Sequence, residues 1–131
     1  MNVFVDTSAL YALLDRDDAE HRRAAEVFPS LLDNDRLVTH NYVLVELTAL
    51  VQRRLQPQAV RTFTHDVLPV IDTVWVSRDL HAAAEGALLG ALKRRPSLVD
   101  WVSFEVMRRR GIDTAFALDN DFATQGFRTV P

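Results

Sequence analysis

The chain has 131 residues, 48% of them hydrophobic, with no cysteine and a formal net charge of −3. That length suits one domain around one core, and the composition is that of an ordinary soluble globule. The missing thiols exclude disulfides, cysteine nucleophiles and cysteine-ligated zinc, and the negative net charge argues against a general basic coat for nucleic acid.

The first element is VFV (3–5), a strand that runs straight into Asp6, Thr7 and Ser8. No basic segment leads into a long apolar run, so neither a signal peptide nor a membrane-spanning helix is expected, and the expected location is cytoplasmic. A short helix over Ser8 to Leu14 comes next. Asp17 and Asp18 can cap a second helix to about Phe28, where Pro29 bends or ends it. RLVT (36–39) reads as a buried strand, and Asn41 as the N-cap of a helix reaching Leu55. Pro57 opens another helix to about Val67. TVWV (73–76) is a third strand, after which Ser77 caps an alanine-rich helix ending near Arg94. Pro96 breaks the chain, a helix follows from Leu98 to Arg110, and Gly111 stops it. TAFAL (114–118) is a fourth strand, and Phe127 to Val130 can add an edge strand.

Strands alternating with helices over residues 1–131 predict a single α/β domain, a central parallel sheet of four to five strands with helices on both faces. In such sheets the binding site lies beyond the C-terminal strand ends. That rule puts Asp6 and Asp119 on one edge, since each follows a strand directly.

Most of the acids have ordinary roles, such as Asp18 and Glu105, each four residues before an arginine on a helix. Four resist that reading. Glu46, in VLVELTAL, has Tyr42, Val43, Ala49 and Leu50 as helical neighbours and no cation among them, a costly setting unless a partner meets it. Asp100, in SLVDWVSF, forms a capping-box spacing with Ser97, but Ser103 and Phe104 offer it no charge. Asp119 and Asp121, in ALDNDF, sit in a turn just past the fourth strand. Unit charges 4 Å apart at an effective dielectric near 20 interact by roughly 4 kcal/mol. Carboxylates converging on one pocket would repel or take up protons unless a cation joined them. Oxygen ligands select a hard ion, Mg²⁺ or Mn²⁺, and such an ion can present a water to a phosphodiester.

These stretches resemble the PIN domain family, and within it the VapC-type ribonuclease toxins of toxin–antitoxin pairs. The resemblance covers nearly the whole chain: DTSAL after the first strand, VLVELTAL, then SLVDWVSFEVMRRRGIDTAFALDNDF and a closing GF. It implies a three-layer α/β/α fold. It also implies an acidic, metal-binding quartet of Asp6, Glu46, Asp100 and Asp119, with Asp6 and Asp100 as direct ligands, Glu46 and Asp119 direct or through water, and Asp121 accessory. Thr7, Ser8 and Ser103 are placed to support a carboxylate or a bound water. Val99 stands where relatives often carry a hydroxyl, and Trp101 where the residue is commonly smaller; neither change removes a carboxylate. The implied activity is Mg²⁺-dependent endoribonucleolytic hydrolysis of single-stranded or loop RNA, leaving 5′-phosphate and 3′-hydroxyl ends. The implied partners are RNA, a small antitoxin that can thread a basic side chain into the pocket, and a second copy in a homodimer.

Fourteen of the fifteen basic residues are arginine, and Arg53 and Arg54, extending the helix that bears Glu46, are the preferred RNA contacts. The rival readings have less to stand on. His21, His40, His65 and His81 are scattered and read as surface or helix-end residues, not an acid–base pair. A phosphatase would want D-x-D after the first strand, and a receiver domain a lysine after a late strand, whereas Lys93 ends a helix. No nucleotide-binding glycine motif is present. The alternative from another class is a PIN-like module that binds RNA or protein without cutting.

Overall fold

In a computed structural model covering residues 1–131, five strands form one parallel sheet. They are β1 (Asn2–Val5), β2 (Arg36–His40), β3 (Asp72–Val74), β4 (Thr114–Phe116) and β5 (Arg128–Val130), in the order β3-β2-β1-β4-β5. The helices between them are α1 (Thr7–Leu14), α2 (His21–Asn34), α3 (Asn41–Arg54), α4 (Pro57–Thr62), α5 (Arg78–Ala91), α6 (Leu98–Arg110) and α7 (Asp121–Thr124). A π turn over Phe63–Val67 and a 3₁₀ turn over Leu68–Val70 carry α4 into β3.

Successive strand residues point to opposite faces, so a strand buried along its whole length must be covered on both. Val3, Phe4 and Val5 of β1 are all buried, as are Thr114, Ala115 and Phe116 of β4. The covers can be told apart by their aromatic contacts. Phe4 stacks on His40 and on Phe122, which meets Phe104 of α6 edge-on. Phe116, opposite Val5 in the register, stacks instead on Phe28 of α2. The sheet is therefore the middle of three layers, with α6 and α7 on one side and α2 on the other.

Three expectations are corrected. Helix α2 continues through Pro29 to Asn34 instead of ending near Phe28. Asn41 lies inside α3, and the cap is His40, whose Nδ1 accepts from Val43 N–H, while Asn41 Oδ1 accepts from Val76 N–H at 2.6 Å. The alanine-rich helix stops at Ala91, because Leu92 turns left-handed with φ of 47°. Gly111 ends α6 as anticipated, with φ of 65°, a region glycine enters without steric cost.

No helix is long and apolar enough to cross a membrane.

Candidate metal and catalytic centre

β1 and β4 are neighbours with Val5 opposite Phe116, so the chain leaves both strands at one sheet edge. Asp6 follows β1 at once. Its N–H donates to Phe116 O at 3.0 Å and its own carbonyl accepts from Leu10 N–H at 3.1 Å, which starts α1. Its carboxylate caps that helix: Oδ2 accepts from Ser8 N–H at 3.2 Å and from Ser8 Oγ–H at 2.6 Å. The Ser8 hydroxyl also accepts from Leu118 N–H at 3.0 Å, which ties the segment after β4 to the start of α1.

Asp100 enters from the first turn of α6. The capping box forms, with Asp100 Oδ2 accepting from Ser97 N–H at 2.9 Å and from Ser97 Oγ–H at 3.1 Å. Asp119 Oδ1 accepts from Asp121 N–H at 3.1 Å, and Asp121 Oδ2 accepts from Arg95 at 2.9 Å. Asp100, Asp119 and Asp121 bring one carboxylate oxygen each to within 4.8 Å of one another. In all four aspartates one oxygen is held by the protein and the other has no protein partner.

The electrostatics follow from that crowding. Asp6 is buried, and burial pushes its carboxyl up to about 7; the Ser8 hydroxyl opposes this and the charges of Asp119 and Asp100 add to it. Burial also raises Asp100, against the Ser97 amide and hydroxyl. Asp119 is raised by burial and then by Asp100. Each anion is disfavoured where it stands, the condition that a bound cation would relieve. Thr7 adds a second sign: it is buried, and its Oγ1 meets no hydrogen-bond partner. The donors here are all oxygen, several free carboxylate oxygens converge, and a buried hydroxyl awaits a partner. That set fits a hard divalent cation.

The remaining expected site residues divide. Glu46 is exposed on α3, not embedded in an apolar stripe, and makes no bond to another side chain. Leu50 and Arg54 lie one and two turns further along the same helical stripe. They line a cleft of about 320 Å³ together with Thr7, Ser8, Tyr11 and Asp119. Within it the Arg54 guanidinium sits 5.8 Å from the centre of the Tyr11 ring, and the Tyr11 hydroxyl donates to Asp15 at 2.8 Å. Arg53 is exposed and has no such packing. Ser103 does not support the carboxylates. It is fully buried, its hydroxyl donates to Val99 O at 2.9 Å, and it lies 2.8 Å from His40 Nε2. His40 is itself a core residue, not a surface histidine, and burial holds its imidazole down at about 4.

Arg95, not singled out from the sequence, joins the candidate site through Asp121. It stands in the Lys93-Arg94-Arg95 run, and the only sequence signal was that run's position just before the Ser97–Asp100 capping box.

The chain matches the family model described as PIN domain over residues 3–127. It is 36% identical over 129 residues to the 23S rRNA-specific endonuclease VapC20 of Mycobacterium tuberculosis, covering 98% of this chain and 97% of that protein. The crystal structure of that VapC20, described as a Sarcin-Ricin loop cleaving toxin, superposes with a TM-score of 0.86 over 95% of each chain. FitAcB from Neisseria gonorrhoeae, 15% identical, shares the fold with a TM-score of 0.69 over 100% of this chain and 97% of that one.

Proposed function

This chain belongs to the PIN domain family, and on that premise we propose that residues 1–131 form one ribonuclease domain that hydrolyses RNA phosphodiesters with Mg²⁺. The observation that carries the reading is the convergence of Asp6, Asp100, Asp119 and Asp121 at one sheet edge, each with a free oxygen and three of them raised by burial. Asp100, Asp119 and Asp121 are the group nearest to a common ion, with Asp6 facing them and Glu46 completing the set through water. Bound there, Mg²⁺ supplies an activated water as nucleophile and offsets charge on the phosphate.

The protein's own part is preorganisation. Ser8 fixes the Asp6 carboxylate from two directions, Ser97 does the same for Asp100, and the Asp121 amide holds Asp119. Little side-chain freedom is left to lose when substrate arrives. Arg54, stacked on Tyr11 beside Asp119, offers a guanidinium to the RNA backbone, and the exposed Arg53 is the second contact. The substrate to test first is large-subunit ribosomal RNA, the target named for the 36% identical relative.

The likeness to a toxin also supports an antitoxin partner that inserts a basic side chain into the acidic pocket. Arg95 on Asp121 already shows how a guanidinium docks there. Assembly as a homodimer completes the proposal. Incubating purified protein with ribosomal RNA, with Mg²⁺ or with EDTA, and mapping the ends tests the chemistry. Mg²⁺-dependent cuts with 5′-phosphate ends are expected; cleavage that survives full metal removal overturns the mechanism.

A further inference from the structure

A second cavity, of about 240 Å³, borders the acid cluster at Asp121, between the α5–α6 connection and α7. Lys93, Arg95, Trp101, Asp121, Thr124 and Gln125 line it. The Arg54 cleft contains Asp119 and this cavity contains Asp121, and those two acids contribute oxygens to the same group within 4.8 Å. The two cavities therefore border one cluster, and each holds an arginine.

The hydrogen-bonding groups of this cavity are mostly unused donors. Lys93 has no carboxylate partner, and Arg95, 68% exposed, spends one N–H on Asp121. Gln125 Oε1 accepts from Arg108 at 2.9 Å, which leaves its amide N–H₂ free to donate. Trp101, half-buried, lines the cavity, while its indole N–H is enclosed and has no acceptor, an exception among buried polar groups, which are normally paired. Asp121 is the cavity's one charged acceptor, and Arg95 already occupies it. A wall of donors around an aromatic ring is complementary to an acceptor-rich, flat, anionic ligand. Cations combined with a stacking surface are how single-stranded nucleic acid is held. With a net charge of −3 on the chain, such a site is local and does not belong to a general basic coat.

We propose that this cavity is a nucleotide subsite. Lys93 and Arg95 take the phosphate next to the scissile one, and the base of that nucleotide lies against Trp101 with its acceptors toward Gln125. The proposal rests on the endoribonuclease reading and adds to it a fixed footprint: the strand crosses the acid cluster from the Arg54 cleft to the Trp101 cavity.

Binding of a fluorescein-labelled single-stranded RNA, followed by anisotropy in EDTA over a salt series, tests the subsite without cleavage. Lys93→Ala combined with Arg95→Ala is expected to weaken binding about tenfold and to lower the slope of log affinity against log salt by about 0.7, the share of one phosphate no longer neutralised on a single strand. Arg95→Lys with Lys93 intact should restore the slope. Trp101→Phe, which keeps a ring against Phe104, should weaken binding by about twofold to threefold, and Trp101→Leu by more, with melting temperatures reporting any loss of packing. In the cleavage assay, a neutral methylphosphonate at one phosphate beside the scissile bond should raise KM for the native protein and leave the double variant unaffected. Affinity and salt slope unchanged in the double variant would overturn the subsite, even if the protein cleaves RNA. RNA bound through these residues but never cut would instead overturn the catalytic reading and leave the subsite standing.

Discussion

Two groups of buried polar side chains lie close together at the same sheet edge, and they are built on opposite terms. Around His40 every bond is closed: Nδ1 accepts from Val43 N–H, Nε2 meets the Ser103 hydroxyl, and that hydroxyl donates to Val99 O. Around Asp6 and Asp119 the bonds are half closed, one oxygen of each carboxylate tied and one left facing like charge. A closed network rigidifies a core, whereas a partly satisfied one costs stability until something else completes it. Buried polarity alone therefore does not mark a functional site. What sets the candidate site apart is polarity, buried at Asp6 and half-buried at Asp119, that the protein leaves unfinished.

The sharpest way to break the comparison is to remove one charge from the open group. Asp6→Asn should lower single-turnover RNA cleavage by on the order of a thousandfold, the several kcal/mol that a misplaced metal forfeits. The metal-free variant should melt no lower than the native protein, because a buried repulsive charge has gone. Asp100→Asn should do the same to cleavage. Full activity in both variants would refute the site. In the closed group the signs reverse: His40→Ala removes a fully buried ring and its bonds, and should cost about 3 kcal/mol in urea unfolding.

Acidity separates the two groups further. Asp6 binds its proton more tightly folded, near 7, than unfolded. Its charge therefore subtracts stability as pH rises from the ordinary carboxylate range through about 7, by a few kcal/mol in the metal-free protein. His40 behaves oppositely. It stays neutral down to about 4 when folded, while the unfolded chain takes up its proton near 6.5, so stability is lost as pH falls through that interval. Melting scans without metal should show both flanks. Asp6→Asn should flatten the alkaline one, and Mg²⁺ should raise the melting temperature more at pH 8 than at pH 6. The smallest effect belongs to Ser103→Ala, which leaves the His40 ring without its hydroxyl partner. About 1 kcal/mol of stability should go, with cleavage unchanged.

Much of this was legible in the sequence. The strand, helix and turn signals put Asp6 and Asp119 on one edge, and the α6 boundaries held at both ends because Ser97 and Gly111 are strong local signals. Asp100 was read both as a cap and as a ligand. The cap forms and uses one of the two carboxylate oxygens, which leaves the other open to the proposed ligand role. What stayed hidden depended on contacts far apart along the chain. His40 became a core residue through Ser103, Arg95 a site residue through Asp121, and Arg54 a fixed cation through Tyr11. Pro29 misled because a single missing N–H at the surface of α2 did not stop a helix held by its buried face at Ala24 and Leu31.

The Ser8 hydroxyl, shared between Asp6 and the Leu118 amide, has a consequence in time. It joins the sixth residue to a segment reached only after β4, so the acidic cluster proposed as the metal site closes only once that segment has been made. A nascent chain that has emerged only as far as α5 carries Asp6 and Glu46 but neither Asp100 nor Asp119. On the proposed reading of that cluster, this order of assembly withholds RNA cleavage until the segment after β4 has emerged.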